Sequence, residues 1–403
     1  MRRGLVVACA GLVIWAMSRL AGSPGLHLVA VGILTLPVLA WYVGARRTGK
    51  AFSVIRRVTS HQVAVGDTLE IALTVHNHTH RTSSFLLLED RLPPALGGPQ
   101  RLVLDRIPPG NAQTVVTQVV PTQRGRFTLP RLTLEASDPF DLTRARLSSG
   151  EPSELLVAPR VEPLAAPPRG AFGAGRGESA SRQLYLAGEE FYTIRGYQTG
   201  DDLRRIHWPS TARSGQLMIR QDETARRAAA IIFLDTRAVL LGQSGAPAFE
   251  RAVSAAASVG TLLVRGGFAV RLATPDQPLV AVTEDALLEA LATVGPSGAA
   301  RPGAAQVRAA ADAATTLLLV SGLPGEAALP SLLSTGSGFG QRIAILVHPL
   351  DRSAASAEDW RREEGRALGI RRALGRAGWE VVVVQPSGRL EEAWRHRSVR
   401  SAP

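Results

Sequence analysis

The second half of the chain contains short, fully apolar segments that alternate with helical patterns. One helical pattern, rich in alanine, runs from Phe249 to Val264. Continuous apolar strands separated by helices indicate a parallel sheet that is covered on both faces. Successive strand and helix pairs therefore predict a doubly wound α/β domain over residues 228–397. The apolar segments are Ala230–Leu234, Phe268–Leu272, Thr316–Val320, Ile343–Val347 and Val381–Val384.

Residues 52–163 follow a different pattern, in which apolar and polar residues alternate over short segments. The alternation is clear in Leu69–Val75, Thr114–Val120 and Leu129–Leu134, and turn-forming residues such as Gly66-Asp67 separate the segments. A period of two residues at this spacing predicts an antiparallel β-sandwich.

Three histidines, His76, His78 and His80, occupy alternate positions near the end of one predicted strand. Side chains at alternate positions share one face of a strand, and imidazoles that converge in this way can bind zinc. The alternative is a solvated strand end that runs into a polar turn with Asn77 and Thr79. The polar neighbours favour the solvated strand end.

Two apolar runs of 17 and 18 residues begin the chain, Gly4–Leu20 and Leu26–Val43, and a turn-forming stretch at residues 21–25 separates them. Each run is near the lower limit of length for crossing a bilayer as a helix. Residues 1–45 are therefore predicted to form a transmembrane helical hairpin with a tight turn.

Basic residues flank this hairpin on both sides. Arg2 and Arg3 precede the first run, and Arg46, Arg47 and Lys50 follow the second. By the positive-inside rule both ends face the cytoplasm. This pattern predicts a multi-pass protein of the cell membrane, with two transmembrane helices and with its soluble domains in the cytoplasm.

A cleaved signal peptide is the alternative interpretation of the first apolar run. Arg19 interrupts the expected cleavage region and a second apolar run follows at once, so the hairpin is favoured. Cys9 is the only cysteine, which excludes disulfides and thiolate zinc sites within the chain. A chain without disulfides also suits cytoplasmic domains.

The chain is strongly basic, with a formal net charge of +12. Such a charge usually suggests nucleic acid or anionic lipid as a partner. Lys50 is the only lysine, and the arginines are spread along the chain rather than gathered into a basic tract. Because no nucleic-acid-binding motif accompanies the charge, we expect no nucleic acid as a partner. The lipid bilayer is expected as a partner because of the predicted hairpin.

Residues 164–227 combine a connector with a segment of unusual composition. The connector, Pro163–Gly177, is rich in proline and glycine, and Gly173–Gly177 lacks the lysine and hydroxyl residue of a phosphate-binding loop. The next segment, Gly188–Glu223, mixes charged residues with aromatic ones, although only 5% of the chain is aromatic. Buried charges among aromatic rings must be paired or stacked. We therefore predict a buried polar network in Gly188–Glu223, hereafter the signature segment.

The signature segment contains the pairs Glu190-Phe191, Gly200-Asp201 and Ala212-Arg213, with Arg195, Tyr197, Ile206 and Trp208 between them. These residues closely resemble the sequence signature of the DUF58 family of bacterial membrane-anchored proteins. That signature runs Glu-Phe, Arg-x-Tyr, Gly-Asp, Arg-x-Ile-x-Trp, Ala-Arg and a final Glu, and the matches extend over 36 residues. Either Arg204 or Arg205 supplies the arginine before the isoleucine. The matching residues are Glu190, Phe191, Arg195, Tyr197, Gly200, Asp201, Arg205, Ile206, Trp208, Ala212, Arg213 and Glu223.

The resemblance implies the identity of the two folded domains. For the β-sandwich it implies an immunoglobulin-like module, which Val65-Gly66-Asp67 and Arg124–Phe127 match. For the α/β domain it implies a von Willebrand factor A-like fold. The expected fold class is therefore multidomain: an α-helical membrane hairpin, an antiparallel β-sandwich and then a doubly wound α/β domain.

The A-like fold carries a metal site that this chain has in degenerate form. The family pattern is Asp-x-Ser-x-Ser after the first strand, and its hard oxygens bind Mg²⁺. Here the residues are Asp235–Val239, both serines are replaced, and Arg237 places a cation where the metal would lie. Ser321 stands where the pattern often has a later aspartate. We therefore expect a degenerate site at Asp235 that holds no metal, and no cofactor.

The signature segment has three interpretations. In the first, arginine–carboxylate pairs beside Trp208 clamp the connector onto the α/β domain. In the second, the segment is a docking face, since Arg, Trp and Tyr are common interface hot spots. In the third, the protein is an enzyme with a site around Arg195, Asp201, His207 and Arg213. Because no nucleophile, metal or cofactor completes such a site, the non-enzymatic interpretations are favoured.

The resemblance also implies partners. DUF58 proteins are commonly encoded beside MoxR-type AAA+ ATPases and sometimes beside transglutaminase-like membrane proteins. The expected function is a membrane-anchored adaptor or scaffold that works with such an ATPase in assembly or in a chaperone-like activity. The alternatives are the enzyme and a structural cell-envelope protein without an ATPase partner.

Overall fold

The fold is known from a computed structural model of the chain. It describes residues 2–45, 51–137, 144–165, 192–198, 202–203, 206–222 and 228–400. The chain divides into two compact units, Met1–Ala158 and Pro159–Pro403. The second unit therefore begins directly after the last strand of the first.

Two helices begin the first unit, α1 (Arg2–Ala21) and α2 (Pro24–Ala45). They pack against each other, and a Cβ at Gly11 would lie only 2.9 Å from Leu34 Cδ2, so this position requires glycine for the observed contact. Within the part of the chain that the structure describes, no helix combines the length and the apolar character needed to cross a membrane. Both helices expose large apolar side chains, and Leu20 is 90% exposed.

Ten short strands form the remainder of the first unit. They are β1 (Phe52–Val58), β2 (Gln62–Ala64), β3 (Leu69–Asn77), β4 (Leu86–Arg91), β5 (Pro99–Leu104), β6 (Ala112–Val119), β7 (Gly125–Leu129), β8 (Leu132–Ser137), β9 (Arg144–Ser149) and β10 (Ser153–Ala158). The sheets have the strand orders β1–β3–β6, β2–β10–β7 and β5–β4–β8–β9. The β2–β10 pair is parallel, which departs from the purely antiparallel arrangement that the alternation predicts.

The alternating pattern places one face of these strands in a single core. In β3, the side chains of Leu69, Ile71, Leu73 and Val75 are buried and the residues between them are not. Residues of all three sheets join them in one apolar cluster. The period of two residues therefore does specify which side chains enter the core.

Asn77, at the end of β3, is buried and its side chain is fully hydrogen-bonded. Its Nδ2 donates to the carbonyl oxygens of Arg81 and Ile107 at 2.9 and 2.8 Å. Its Oδ1 accepts from the backbone N–H and the hydroxyl of Thr79. One side chain thus satisfies the backbone groups of two loops.

His76, His78 and His80, at and beyond the end of β3, do not form a group that could bind one metal ion. His78 Nε2 lies 2.7 Å from Ser53 Oγ, and His78 and His80 are exposed beyond the end of β3. Among the residues that the structure describes, no group of three or more His, Cys, Asp or Glu side chains is arranged to hold a metal ion.

A buried ion pair lies inside the strand region. Arg56 Nη2 of β1 is 2.5 Å from Asp90 Oδ1 of β4, and the two side chains are 5% and 1% exposed. Within the described residues, Nε and Nη1 of Arg56 have no hydrogen-bond partner. Burial raises the pKa of the Asp90 carboxyl, against the lowering effect of Arg56.

The second unit contains a two-stranded sheet and a six-stranded sheet. Its helices are α3 (Trp208–Ser214), α4 (Ala238–Leu241), α5 (Pro247–Arg265), α6 (Glu284–Thr293), α7 (Ala305–Ala309), α8 (Leu329–Thr335), α9 (Ala357–Arg376) and α10 (Leu390–Arg400). Its strands are β11 (Tyr192–Gly196), β12 (Met218–Asp222), β13 (Ala229–Leu234), β14 (Ala269–Ala273), β15 (Val280–Ala281), β16 (Thr315–Gly322), β17 (Gln341–Val347) and β18 (Glu380–Val384).

The six-stranded sheet has the order β15–β14–β13–β16–β17–β18. All pairs are parallel except β14–β15, which is antiparallel. The five apolar segments of the sequence form the five parallel strands, whereas β15 has only two residues and gives no apolar signal. The chain turns from β13 to β14 on one side and reaches β16 on the other, so the strand order reverses between β13 and β16.

Helices cover both faces of this sheet. On one face, α5, α6 and α10 pack on the sheet through residues such as Phe249, Leu287 and Trp394. On the other face, α7, α8 and α9 pack through Leu332 and Leu374, among others. The unit is therefore a doubly wound α/β structure, as the sequence predicts.

Candidate functional site

The signature segment folds into a short, separate substructure. Strands β11 and β12 pair in antiparallel fashion, and α3 lies between them in sequence. Ile206 forms a β-bridge with Ile219, whose side chain is buried. The pairing brings the two ends of the signature segment together.

Backbone hydrogen bonds hold α3 against β12. The N–H of His207 donates to the Met218 carbonyl at 2.8 Å, and the Met218 N–H donates to Thr211 Oγ1 at 3.0 Å. Pro209 lies in the first turn of α3, where it costs no hydrogen bond. Gly215 ends the helix with a φ of 69°, a left-handed conformation that glycine adopts without strain.

The structure describes only part of the predicted motif. Tyr197 and Ile206 are half-buried, and Trp208, Ala212 and Arg213 are exposed. Arg195 belongs to β11, and its side chain is outside the described part. Also outside the described residues lie Glu190, Phe191, Gly200, Asp201, Arg205 and Glu223.

Most of the charged residues of the predicted buried network lie outside the described part of the chain, so that prediction stays open, but three of the large apolar side chains described in this segment are exposed. Trp208 is 67% exposed, and Leu203 and Leu217 are exposed beside it in the chain. The Tyr197 N–H donates to the Leu217 carbonyl, which keeps Leu217 next to the paired strands. Leu203, Trp208 and Leu217, hereafter the Trp208 patch, thus present apolar surface to solvent.

His207 contacts a hydroxyl within the same turn. Its Nδ1 lies 2.9 Å from Ser210 Oγ, at the start of α3. An imidazole beside a serine hydroxyl is the first element of an activated nucleophile. Of the remaining members of the predicted enzyme site, Arg213 is exposed, and Asp201 and the Arg195 side chain lie outside the described part of the chain.

A second polar cluster lies where β13 and β16 end, at the position where the strand order reverses. Asp235 follows β13 and is buried, as is Arg237. Arg237 Nε and Nη2 donate to Asp235 Oδ1 and Oδ2 at 2.8 and 2.7 Å, a bidentate pair. Arg237 Nη1 donates to the Ala300 carbonyl at 3.3 Å, and Ser321 Oγ of β16 lies 3.1 Å from Asp235 Oδ2. Both carboxylate oxygens of Asp235 are therefore engaged by the protein itself.

This geometry explains how the chain stabilises the buried carboxylate of Asp235. The hydrogen bonds to Asp235 raise the pKa of Arg237 above its ordinary value. The guanidinium supplies the positive charge that a buried carboxylate requires. The sequence predicted that Arg237 repels a divalent ion, but it did not predict that Arg237 turns back onto Asp235 two residues away. The Arg237 guanidinium thus neutralises the charge of the Asp235 carboxylate within the protein.

Sequence reasoning missed a second anchored carboxylate, Glu162. It lies in Pro159–Ala165, which we assigned to the β-sandwich and the connector and which belongs to the second unit. Glu162 forms a buried ion pair with Arg251 of α5, and its Oε2 accepts from the N–H groups of Leu390 and Glu391 at the start of α10. The sequence carries no local signal for this contact, because the partners lie far along the chain.

An apolar cavity of about 390 Å³ lies at the carboxyl edge of the large sheet. Residues from the α4–α5 turn and from the loops after β17 and β18 line it. Its one charged lining residue is Asp351, whose Oδ1 accepts from the N–H and hydroxyl of Ser387. None of the predicted motif residues lines this cavity.

Comparison with known proteins gives a family match that begins within the signature segment and extends into the α/β region. No curated protein sequence matches the chain. A solved CARDB domain from Pyrococcus furiosus, in complex with di-metal ions, has a TM-score of 0.20 and 12% identity over 26% of this chain and 91% of that one. Pseudomonas fluorescens alkylpurine DNA glycosylase AlkC, bound to DNA with an abasic site analog, has a TM-score of 0.19 and 12% identity over 36% of this chain and 42% of that one. TM-scores this low do not establish a shared fold with either protein. The sequence model of the family described as protein of unknown function DUF58 matches residues 193–285, and this match supports the DUF58 family.

Proposed function

We propose that the protein is a membrane-held adaptor whose signature segment docks a partner protein through the Trp208 patch. The observation that carries this proposal is the 67% exposure of Trp208 at the start of α3. A tryptophan that contributed only to folding would be expected in a core, where its large apolar surface is removed from water. Exposed tryptophans with apolar neighbours are typical of interface hot spots.

The surroundings of Trp208 favour recognition of protein rather than of a small molecule. Leu203 and Leu217 add apolar surface, and Arg213 is exposed in the last turn of the same helix. Apolar side chains beside an arginine combine the residue types that are enriched at protein interfaces. Hydrogen bonds between the start of α3 and Met218 hold this helix on β12, so the exposed Trp208 belongs to an anchored helix.

The proposed partner is a MoxR-type AAA+ ATPase, with a transglutaminase-like membrane protein as a possible additional component of the assembly. The support for this partner is the DUF58 match over residues 193–285, which includes α3. In this proposal the α/β unit has a von Willebrand factor A-like fold, supported by its doubly wound sheet with an antiparallel edge strand. The strand region is proposed to be immunoglobulin-like, supported by sheets that share one core.

The proposed membrane attachment rests on the N-terminal hairpin. Its two helices leave large apolar side chains such as Leu5, Leu20 and Leu28 exposed. Apolar side chains around a whole helix favour an apolar surrounding. We propose that α1 and α2 insert into the bilayer and that the strand region of the first unit and the whole second unit lie in the cytoplasm.

Site-specific photocrosslinking tests this function. A photoreactive residue at position 208 is expected to capture the AAA+ ATPase in intact membranes, whereas the same residue at Val239, an exposed position on α4, is not. With the photoreactive residue placed at Leu217 instead, Trp208→Ala should weaken capture at least about 30-fold, because a hot-spot residue contributes about 2 kcal/mol or more. Val239→Ala is the matched control and should leave capture unchanged.

The outcomes separate the three interpretations. Equal capture from both positions, or undiminished capture by Trp208→Ala, would contradict the docking proposal. An unfolded Trp208→Ala protein would support the clamp instead. The enzymatic candidate is favoured only by the His207–Ser210 contact. It predicts that Ser210→Ala stays folded, keeps the ATPase and loses turnover of a defined small molecule.

A further inference from the structure

A short connection joins the strand region of the first unit to the N-terminal helices. Helix α2 ends at Ala45 and β1 begins at Phe52, so six residues span the gap. Six residues reach at most about 22 Å when they are fully extended. Helix α2 also lies against β9. The beginning of β1 is therefore held close to α2.

Two loops of the strand region lie at the beginning of β1. His78 follows β3, and its N–H donates to the Ala51 carbonyl at 2.9 Å. The Nδ2 of Asn77 donates to one carbonyl group in each of the two loops, which ties the loops together. These loops are residues 78–85 and 105–111, hereafter the hairpin-side loops. They lie beside the connection that arrives from α2.

The hairpin-side loops carry exposed cations and an exposed aromatic ring. Arg81 and Arg106 are exposed, and Asp105 is the only acidic residue in the sequence of the two loops. Phe85 is 55% exposed, and the guanidinium carbon of Arg106 lies 5.5 Å from the centroid of its ring. Basic residues beside an exposed aromatic side chain are typical of protein surfaces that rest on a bilayer.

The connection from α2 to β1 is also cationic. Its sequence contains Arg46, Arg47 and Lys50 and no acidic residue, and these three lie outside the described part of the chain. The segment between β8 and β9, which is also outside the described residues, adds Asp138 and Asp141. With that segment included, the connection and the loops still contain five cations and three acidic residues.

Anionic headgroups are the occupant that this position favours. The cytoplasmic leaflet has a negative surface potential, which attracts basic residues within about one Debye length, about 8 Å at physiological salt. If α1 and α2 are inserted, the six-residue connection keeps the hairpin-side loops near this surface at all times. A tether of this length gives the headgroups a high effective concentration at the loops, which a diffusing protein lacks.

We propose that the hairpin-side loops bind the anionic headgroups of the bilayer. Arg81 and Arg106 contact the phosphate groups, and Phe85 lies at the boundary with the acyl chains. This inference rests on the proposed insertion of α1 and α2, but it adds a second contact that the insertion does not require. The contact holds the strand region against the membrane and uses no residue of the Trp208 patch.

Fluorescence quenching of the full chain in vesicles tests the proposal. In a Cys9→Ser background, a fluorophore is attached at Thr82→Cys, an exposed position in the first loop, and the lipids carry a quencher on the headgroup. Quenching is expected to be stronger in vesicles that contain phosphatidylglycerol than in vesicles of phosphatidylcholine alone. The difference should disappear in about 1 M salt, where the Debye length is about 3 Å.

A second label position provides the spatial control. Gln123→Cys is exposed beyond the far end of β6, and the length of that strand separates it from the hairpin-side loops by about 24 Å. Quenching at position 123 should not depend on phosphatidylglycerol.

Charge variants identify the residues that make the contact. Arg81→Gln should lower the equilibrium constant for the contact about fivefold, because one basic residue near an anionic surface contributes about that factor. Arg106→Gln should add a similar factor. The matched control is Arg57→Gln, because Arg57 is exposed on β1 about 17 Å along the strand from Phe52, which exceeds the Debye length. It should leave the equilibrium constant unchanged.

Flotation of the vesicles separates this inference from the proposed insertion. A chain that floats with phosphatidylcholine vesicles, but is quenched equally at position 82 in both lipid mixtures, would keep the insertion and overturn the headgroup contact. A chain that floats with neither kind of vesicle would overturn both. A chain that floats only with phosphatidylglycerol, and that Arg81→Gln releases, would support the headgroup contact and contradict the insertion.

Two further outcomes would overturn the assignment to these loops. One is an equal effect of Arg81→Gln and Arg57→Gln on the quenching at position 82. The other is equal quenching in both lipid mixtures together with photocrosslinks from position 82 to a protein, which would assign the loops to a protein partner. If Arg81→Gln does not fold, judged by circular dichroism, Arg106→Gln alone provides the same test.

Discussion

Replacement of Arg237 by alanine should destabilise the second unit more than an ordinary surface substitution. The change removes three donors, of which two bind Asp235 and one binds the Ala300 carbonyl. It leaves Asp235 buried, with its side chain 2% exposed. The hydroxyl of Ser321 remains as a donor to Asp235, but it carries no compensating charge.

The magnitude follows from the cost of an unpaired buried charge. Removal of one partner from a buried ion pair costs about 3–5 kcal/mol. A double variant, Asp235→Asn with Arg237→Met, removes both charges while it keeps similar volumes. Replacement of both members of a buried ion pair by uncharged side chains often changes the free energy of unfolding only slightly. The double variant should therefore be more stable than Arg237→Ala alone.

Urea unfolding followed by tryptophan fluorescence measures the loss of stability in the second unit, where Arg237 lies. Trp379 and Trp394 are buried in the second unit, and residues 51–158 contain no tryptophan. At a slope of about 2 kcal/mol per molar urea, the expected loss lowers the midpoint by about 1.5–2.5 M. Arg265→Ala is the control, because Arg265 forms a similar pair with Glu284 but is exposed. It should change the midpoint far less.

Two results would refute the reasoning. A midpoint for Arg237→Ala that equals that of Arg265→Ala would show that the buried pair does not neutralise the site. A double variant less stable than Arg237→Ala would show that the charge of Asp235 itself stabilises the unit without its partner.

Three further predictions concern other buried polar groups. Asn77→Ala should cost the first unit about 3 kcal/mol in urea unfolding monitored by circular dichroism, because it leaves carbonyl groups of two loops unsatisfied; a loss no larger than that of an exposed asparagine would contradict this. Glu162→Ala should speed amide hydrogen exchange of Leu390 at least about tenfold, since that N–H loses its buried acceptor; unchanged exchange would show that Glu162 does not hold the start of α10. The pKa of Asp90 is raised, so the folded state binds its proton more readily than the unfolded state does. Its contribution to stability is present below the ordinary pKa of 3.8 and is lost as the pH rises through the raised value. The stability of the wild type relative to Asp90→Asn should therefore increase as the pH falls from neutral to below 3.8, and a decrease would reverse the assigned direction.

The positions of the regular elements were accessible from the sequence because burial patterns are local. The segment Ala230–Leu234 is apolar at every position since a central parallel strand is covered on both faces, and it becomes β13. In β3 the alternate residues are buried because only one face meets the core. The same logic misses β15, because two residues at a sheet edge are too few to show a period.

The candidate site could be located from the sequence but not described from it. The pattern around Trp208 resembled the family signature, and the family match includes this segment. The composition predicted a buried network, most of whose charged residues lie outside the described part, and it gave no sign that Trp208 is exposed. The composition of a segment does not predict which side of a short helix faces solvent. For α3 the packing of the helix against β12 decides this.

The sequence by itself determined the kinds of elements, their order and the change from alternating strands to a doubly wound sheet. Each of these follows from backbone periodicity, which neighbouring residues fully specify. Only the tertiary structure decided that Arg237 neutralises Asp235 and that Glu162 accepts hydrogen bonds at the start of α10. These features depend on which residues meet across the fold. Such meetings are set by the joint packing of distant segments, which no local pattern records.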